Sequence, residues 1–394
     1  MDSYSQPQPQ PQPQLQPQLQ PQMQTQTQTQ TRSIGSLLRN ILPVTVPLAV
    51  AVLWLLRVIP IQISSFLLGI VVSAYLTDSF LWDGLRYVLT LQSGIRDYKM
   101  DHIMLNMHCD EFWLNMGYWK DTVDFVKACE ALAKLVAERA QIPANASVID
   151  FGAGCGDQTL FFLKQYDILA MTTVTLEATQ GRFAKNRIHE FLARSAEIKT
   201  RVQVLVGDAT DPQSWQAVDS LFFPVKSMRP RSAQADIARE AFDVALSLDA
   251  QYHFDDRKRF FSLVHSLLKP GGAFSCTDIV RAAHRPRSFI ERLLLNMFYV
   301  GSSVPESNRQ ASASDVVAML EDAGFVDIDV LDVSEHVFPG LARFFDCQEN
   351  RFGTFMRPMK WRPYRIVSWL LRWVSRDEML KFIAITARKS GSST

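Results

Sequence analysis

Three glycines at alternate positions, Gly152, Gly154 and Gly156, follow the apolar run Val148-Ile-Asp-Phe151 and precede Asp157. Glycine lets a chain turn sharply and brings bare backbone close to a ligand. The spacing is Gly-x-Gly-x-Gly, not the Gly-x-Gly-x-x-Gly of dinucleotide sites, which turns the reading away from a dinucleotide. Alone, the pattern also fits a plain strand-to-helix turn. Downstream, polar residues close other apolar runs. Glu177 and Gln180 follow one, Asp208 and Ala209 a second, Asp249, Tyr252 and His253 a third, and Asp278 lies near the end of a fourth.

Such residues meet only if the runs are neighbouring strands. From about residue 120 the pattern alternates strand with helix. The strands are expected at residues 146–151, 171–176, 201–206, 242–248, 273–280, 325–333 and 381–387. Helices are expected over 124–140, 180–195, 256–268 and 311–323, with another starting at Asp157. Strand–helix alternation predicts a parallel, doubly wound α/β sheet with helices on both faces. Pro270, Gly271 and Gly272 turn the chain into the fifth strand, and residues 220–240 read as an inserted surface loop.

The segment Asp150-Phe-Gly-Ala-Gly-Cys-Gly156 resembles the first motif of class I S-adenosylmethionine-dependent methyltransferases. Three more motifs follow in that family's order: Val206-Gly-Asp-Ala209, the run from Phe242 to Phe254, and Leu267-Leu-Lys-Pro-Gly-Gly-Ala-Phe274. The resemblance covers about residues 95 to 390. It is nearest the small-molecule branch of sterol, tocopherol and sugar methyltransferases and cyclopropane fatty-acid synthases. Asn115-Met-Gly-Tyr-Trp119 matches that branch's segment covering the cofactor. The resemblance implies a Rossmann-like seven-stranded sheet and S-adenosyl-L-methionine as cofactor. It implies cofactor contact by Asp150, Gly152, Ala153, Gly154, Gly156, Asp208 and Ala209, with Asp249 a pocket or cofactor residue. One departure concerns the ribose. Thr175 falls where the class often has an acid, so that contact passes to Glu177 or Gln180; a solvated Glu at a helix start is the other reading of Glu177.

Methyl transfer needs alignment above all, and an oxygen acceptor also needs a general base. His253 is the first candidate for that base, Asp278 the second, and Tyr252 would orient substrate. A packing role for His253 and a turn-capping role for Asp278 stay open. A cyclopropane synthase would need Met-x-Glu-His where this chain has Ala250-Gln-Tyr-His253, which weighs against that chemistry despite Cys155 in the loop. His102 and His108 have no assigned role, and no metal site is expected.

Nothing in the balance of 41 basic against 40 acidic residues implies bulk nucleic-acid binding, and no nucleic-acid partner is expected. Cys109, Cys129, Cys155, Cys276 and Cys347 are odd in number and never spaced C-x-x-C, so free thiols in a reducing compartment are expected. Residues 1–33 form a Gln/Pro-rich tail too polar to bury a core. Residues 41–76 hold a single charge, Arg57, beside Pro60, with Arg32 and Arg39 ahead of them. Each half approaches the ~20 apolar residues of a membrane span. A transmembrane anchor over 34–78 is expected, as a helical hairpin or else one span or a re-entrant loop, with a pair of buried helices the other reading; a linker and cofactor-covering segment over 79–122 and the catalytic domain over 123–390 follow. The expected location is the endoplasmic reticulum membrane with the domain facing the cytosol. The Trp- and Arg-rich stretch 361–373 reads either as an interfacial segment or as a lid helix. The expected function is methyl transfer to an apolar small molecule such as a lipid, sterol, quinone or secondary metabolite. A membrane-tethered, non-catalytic binding module remains the other class.

Overall fold

The computed structural model describes residues 105–106, 110–195, 197–218, 239, 241–282, 287–352 and 362–391. The chain divides into Met1–Leu85 and Arg86–Thr394, and all described residues belong to the second unit. The tail, the expected anchor, His102, His108, Cys109 and nearly all of the inserted loop lie outside them. Among the described residues no helix is long and apolar enough to cross a membrane.

The elements in chain order are α1 (Phe125–Ala140), β1 (Ala146–Phe151), α2 (Asp157–Gln165), β2 (Ile168–Thr175), α3 (Ala178–Arg194), β3 (Arg201–Val206), β4 (Gln216–Ala217), β5 (Phe242–Ser247), α4 (Arg257–Leu267), β6 (Leu268–Arg281), α5 (Phe289–Gly301), α6 (Ala313–Asp322), β7 (Phe325–Asp332), α7 (Ser334–Phe352), α8 (Arg362–Arg376) and β8 (Leu380–Lys389). Local chemistry sets many of the ends. Asp124 caps α1 by accepting from the Lys127 N–H, and Gln141 ends it in a left-handed turn. Between those caps, Phe125, Ala128, Cys129, Leu132, Val136 and Ala140 form one buried stripe. Asp256 caps α4, while Ser288 with Glu291 and Ser312 with Asp315 form capping boxes on α5 and α6.

The strands lie in the order β4-β3-β2-β1-β5-β6-β8-β7. The sheet therefore has eight strands where seven are expected, the extra one being the two-residue β4. It is mixed rather than parallel. β3–β4, β6–β8 and β8–β7 pair antiparallel, whereas β3-β2-β1-β5-β6 are parallel throughout. The physical reason is that β8 returns after two helices and slots between β6 and β7, closing the edge against both. One correction concerns β6. Its pairing with β5 jumps from Leu268 to Ala273, so Pro270-Gly271-Gly272 is a bulge inside the strand and not a turn ahead of it. One apolar core cluster gathers α1, α2, α7 and α8, and the second gathers α4 and α6.

Strand order reverses between β1 and β5: β2 and β3 extend to one side and β6 to the other. Parallel sheets of this kind bind ligands at the carboxyl ends beside that reversal. The loops after β1, β2, β3 and β5 all emerge at this edge, and they carry Gly152, Glu177, Asp208 and Asp249.

Candidate active site

A cavity of about 720 Å³ opens at that edge. One side is polar and built from strand ends: Gly152, Gly154, Glu177, Gln180, Asp208 and Asp249 line it. The other side is apolar and built from late helices: Phe298 of α5, Leu341 and Phe345 of α7, and Val367 and Leu371 of α8. The segment from Asp249 to Asp255 lies along both.

The glycine loop forms the floor. Gly152 holds φ +80°, and a Cβ there would fall 2.3 Å from the Ala250 Cβ. No L side chain fits that turn, because both the backbone and the neighbour exclude it. Ala153 lines a narrow annex beneath Leu114 together with Cys155 and Gln158. Burial pushes the Cys155 thiol up to about 11, so it stays protonated. Gly156 sits behind the loop, against Ala184 of α3. Asp150 lies beneath the loop, fully buried, and does not line the cavity. Its carboxylate accepts from Gln158 Nε2 at 2.7 and 2.9 Å, and burial raises it to about 7. It ties β1 to the start of α2 and braces the loop from beneath. A two-pronged Asp157–Arg187 pair, 2.5 and 2.6 Å, then links α2 to α3.

The other expected contacts reach the cavity wall. Glu177 precedes α3 and makes no capping bond with its side chain. Gln180 is buried, its Oε1 receiving the Thr175 hydroxyl at 3.4 Å. One Asp208 oxygen accepts from the Thr210 N–H and hydroxyl, while Ala209 is buried beside it. Asp249 is the most constrained of the set. It holds φ +53°, accepts from the Met116 N–H at 2.6 Å and the Tyr252 hydroxyl at 2.7 Å, and is pushed by burial to about 6. Three carboxylates around bare glycine backbone fit a cation that carries hydroxyls and an amino group, as S-adenosylmethionine does.

Asp249 also secures the covering segment, whose Leu114 and Met116 line the cavity. Asn115 folds this segment by accepting from the Gly117 N–H and donating to the Cys129 carbonyl. Trp119 anchors its far end, donating its backbone N–H to the His336 carbonyl and packing on Gly340 of α7, where a Cβ would come within 2.1 Å of the indole.

The expected catalytic residues separate. His253 lines the cavity on a short 3-10 turn between β5 and α4. Its Nδ1 lies 3.4 Å from the Ser303 carbonyl, just past α5. A carbonyl only accepts, so in the neutral tautomer that makes this contact Nδ1 carries the proton and Nε2 the lone pair. Tyr252 lines the cavity too, but its hydroxyl is committed to Asp249. Asp278 lies in the sheet interior, apart from the cavity lining. It accepts from Arg257 Nη2 at 2.5 Å and Gln251 Nε2 at 2.8 Å. Burial pushes its pKa above the usual value and Arg257 opposes the rise. The structure brings Asp278 to Arg257 as an internal counterion, away from the cavity lining, and Arg257 sits on a helix whose approach no local pattern reveals.

Residues outside the sequence reading complete the site. Asn308 donates to the carbonyls of Tyr252 and Phe254, on either side of His253. Arg257 reaches the Asn308 carbonyl as well as Asp278. No sequence signal marks Asn308. The apolar wall had one partial signal, the stretch 361–373: α8 packs on the domain as a lid, with Leu370, Leu371 and Val374 buried. Among the described residues no cluster of three His, Cys, Asp or Glu side chains gathers to hold a metal. Cys129, Cys155 and Cys276 are buried thiols outside any disulfide, and Cys347 is an exposed one.

A sequence profile of the family described as "Methyltransferase domain" matches residues 123–330. The chain is 28% identical over 229 residues to an erythromycin 3''-O-methyltransferase of Saccharopolyspora erythraea, covering 57% of this chain and 65% of that protein, just under two thirds of its length. It is 22% identical over 232 residues to an O-methyltransferase of Aspergillus sclerotiorum, covering 58% of this chain and 74% of that protein. The fold superposes on a cyclopropane synthase of Mycobacterium tuberculosis with TM-score 0.55 at 15% identity, over 74% of this chain and 95% of that one.

Proposed function

We propose, from the premise that the chain belongs to the methyltransferase-domain family and is an S-adenosylmethionine-dependent methyltransferase of small molecules, that it methylates a hydroxyl oxygen on an apolar small molecule. The observation that carries the reading is the two-sided cavity: carboxylates and glycine backbone on one side, an apolar wall on the other, with His253 on the segment that spans them. The names of the relatives, both O-methyltransferases, support the same acceptor atom.

S-adenosylmethionine supplies an electrophilic methyl group when bound. Gly152, Gly154, Glu177, Gln180, Asp208 and Asp249 would hold it. The chain's own residues do the rest. Phe298, Leu341, Phe345, Val367 and Leu371 bind the acceptor's apolar body and keep water out. His253, oriented through Ser303, takes on Nε2 the proton that the acceptor hydroxyl sheds as its oxygen is methylated. Fixing the reacting groups supplies much of the rate, which explains why the His253 backbone is clamped on both sides by Asn308.

The apolar segment 41–76, with Arg32 and Arg39 before it, supports a membrane tether for residues 34–78. The tether would carry the catalytic domain of residues 123–390 on the cytosolic face of the endoplasmic reticulum. A lipid, sterol, quinone or secondary metabolite would then be concentrated where the enzyme sits. Calorimetric titration of the full chain with S-adenosylmethionine and S-adenosylhomocysteine is the first test, beside Gly154→Arg. Binding lost in the variant, followed by methyl transfer to a lipid-soluble extract, supports the reading. Binding without transfer to any extract favours a binding module. A chain released from membranes by carbonate refutes the tether.

A further inference from the structure

Arg187, on α3, reaches the glycine loop, the start of α2 and the covering segment, yet does not line the cavity. Its Nη1 donates to the Cys155 carbonyl of the glycine loop at 3.2 Å, and its fork holds the Asp157 carboxylate at the start of α2. Its guanidinium carbon lies 5.4 Å from the ring centres of two phenylalanines, Phe183 one turn back on α3 and Phe112 on the covering segment. The two rings meet edge to face at 4.7 Å, so ring, ring and guanidinium close a triangle. The side chain is 20% exposed, and a cation–ring contact gains strength as water is withdrawn. The Asp157 pair alone would join two helices. The Cys155 and Phe112 contacts add the glycine loop and a segment remote in sequence.

That segment lies directly on the loop. Phe112 and Leu114 line the narrow annex together with Ala153 and Cys155. Leu114 sits on Gly154, where a Cβ would fall 2.9 Å from its Cδ1. The chain on either side of Leu114 is fixed separately. Downstream, the Met116 N–H is held by Asp249. Upstream, Asn106 braces Trp113 by accepting from its N–H at 3.1 Å and donating to its carbonyl at 2.8 Å, and Trp113 turns to Phe161 of α2. Phe112, its neighbour, turns to Arg187. Leu114 is thereby pressed at both ends onto backbone that faces the cofactor. Only arginine joins a planar fork for the carboxylate and carbonyl to a flat, weakly hydrated face for the rings.

We infer that Arg187 is a positioning residue for the cofactor: it latches the Phe112 end of the covering segment to the glycine loop and so sets how fast the cofactor leaves. The inference rests on the S-adenosylmethionine assignment for its purpose, and on neither the acceptor nor His253.

The test compares the full chain with Arg187→Lys, Phe112→Leu and the double variant. Lysine keeps a cation beside Asp157 but loses the fork and the flat face. Leucine at 112 leaves the ion pair untouched, so it still decides the matter if the lysine variant misfolds. Hydrogen exchange without ligand is followed over residues 110–119, with β2 as internal control. Local release quickens the first and spares the second, whereas a general loss of stability quickens both. The rate at which radiolabelled S-adenosylhomocysteine leaves is read by chase with an unlabelled excess. Each single variant should exchange faster over 110–119 with β2 unchanged. Each should release the ligand about three- to tenfold faster, the worth of one cation–ring contact. The double variant should release it no faster than the quicker single one, because both break the same contact. Unchanged exchange over 110–119 overturns the latch, and so does faster exchange in both regions, which would leave Arg187 a structural ion pair. Unaltered release, or effects that multiply in the double variant, overturns its control of the cofactor. A parent chain that takes up no S-adenosylhomocysteine overturns the cofactor assignment instead, and exchange, which needs no ligand, then decides the latch by itself.

Discussion

Asp278→Asn separates an internal counterion from a catalytic base. The Arg257 side chain is 2% exposed and that of Asp278 0%, so removing the negative charge leaves a guanidinium buried without its ion partner. Breaking a buried pair in this way costs about 3–5 kcal/mol. In a domain of this size that corresponds to a loss on the order of 10 °C in Tm. The damage should also travel. Arg257 holds the Asn308 carbonyl, and Asn308 holds the carbonyls flanking His253, so residual turnover should fall with cofactor affinity nearly kept. Arg257→Gln should lose a similar amount of stability although it removes no base. Arg257→Met with Asp278→Leu, which leaves no buried charge, should recover most of it. Thermal unfolding at one scan rate and calorimetric titration with S-adenosylhomocysteine give both readings. An Asp278→Asn variant that melts within about 2 °C of the parent yet has lost turnover would refute the counterion argument and restore Asp278 as a base.

Three further outcomes follow from the site. Burial holds Asp249 near 6, above its unfolded value, so the apo domain loses stability as pH rises from the ordinary carboxylate range through 6, where the buried group must ionise. Affinity for the cationic cofactor runs the other way: it should weaken up to about tenfold per pH unit below 6, and Asp249→Asn should bind weakly with that slope gone, as calorimetry between pH 5 and 8 would show. Gly152→Ala places a Cβ 2.3 Å from the Ala250 Cβ at φ +80°, so it should cost about 2–4 kcal/mol from strain and overpacking together and abolish cofactor binding; a variant of parental Tm and affinity would contradict the loop geometry. His253→Gln should reduce transfer to a hydroxyl acceptor by about 10²–10⁴-fold with cofactor affinity and Tm unchanged, and full turnover would remove the base assignment.

What was legible in the sequence is local. The loop from Asp150 to Gly156 can be read because strand, turn and helix follow one another within twenty residues, each with its own signal. The same holds for Glu177, Asp208 and Asp249, since each stands just past the end of its own strand. Pairing direction was less legible. β8 alternates with helices as the parallel strands do, and its antiparallel insertion between β6 and β7 depends on how α7 and α8 pack. Asp278 shows the same limit at one residue. A carboxylate near a strand end looks like a catalytic group until Arg257, 21 positions upstream, is found against it.

The two sides of the cavity differ in how each could be found, and the difference bears on function. Every polar residue on the cofactor side follows a strand of the parallel sheet, so its place is dictated by a topology that many chains share. The apolar side comes from α5, α7 and α8, which pack on one another and on the Trp119 end of the covering segment. Its shape depends on contacts such as Trp119 on Gly340, which a change in helix length or in one side chain would alter without touching the sheet. On the proposed function, cofactor recognition is therefore tied to the framework, while the choice of acceptor is tied to the packing of these three helices. A substitution there that changes the acceptor accepted, while leaving S-adenosylhomocysteine affinity alone, is what this division of labour requires. Exchange of Phe345 or Leu371 for smaller side chains is the direct way to look for it.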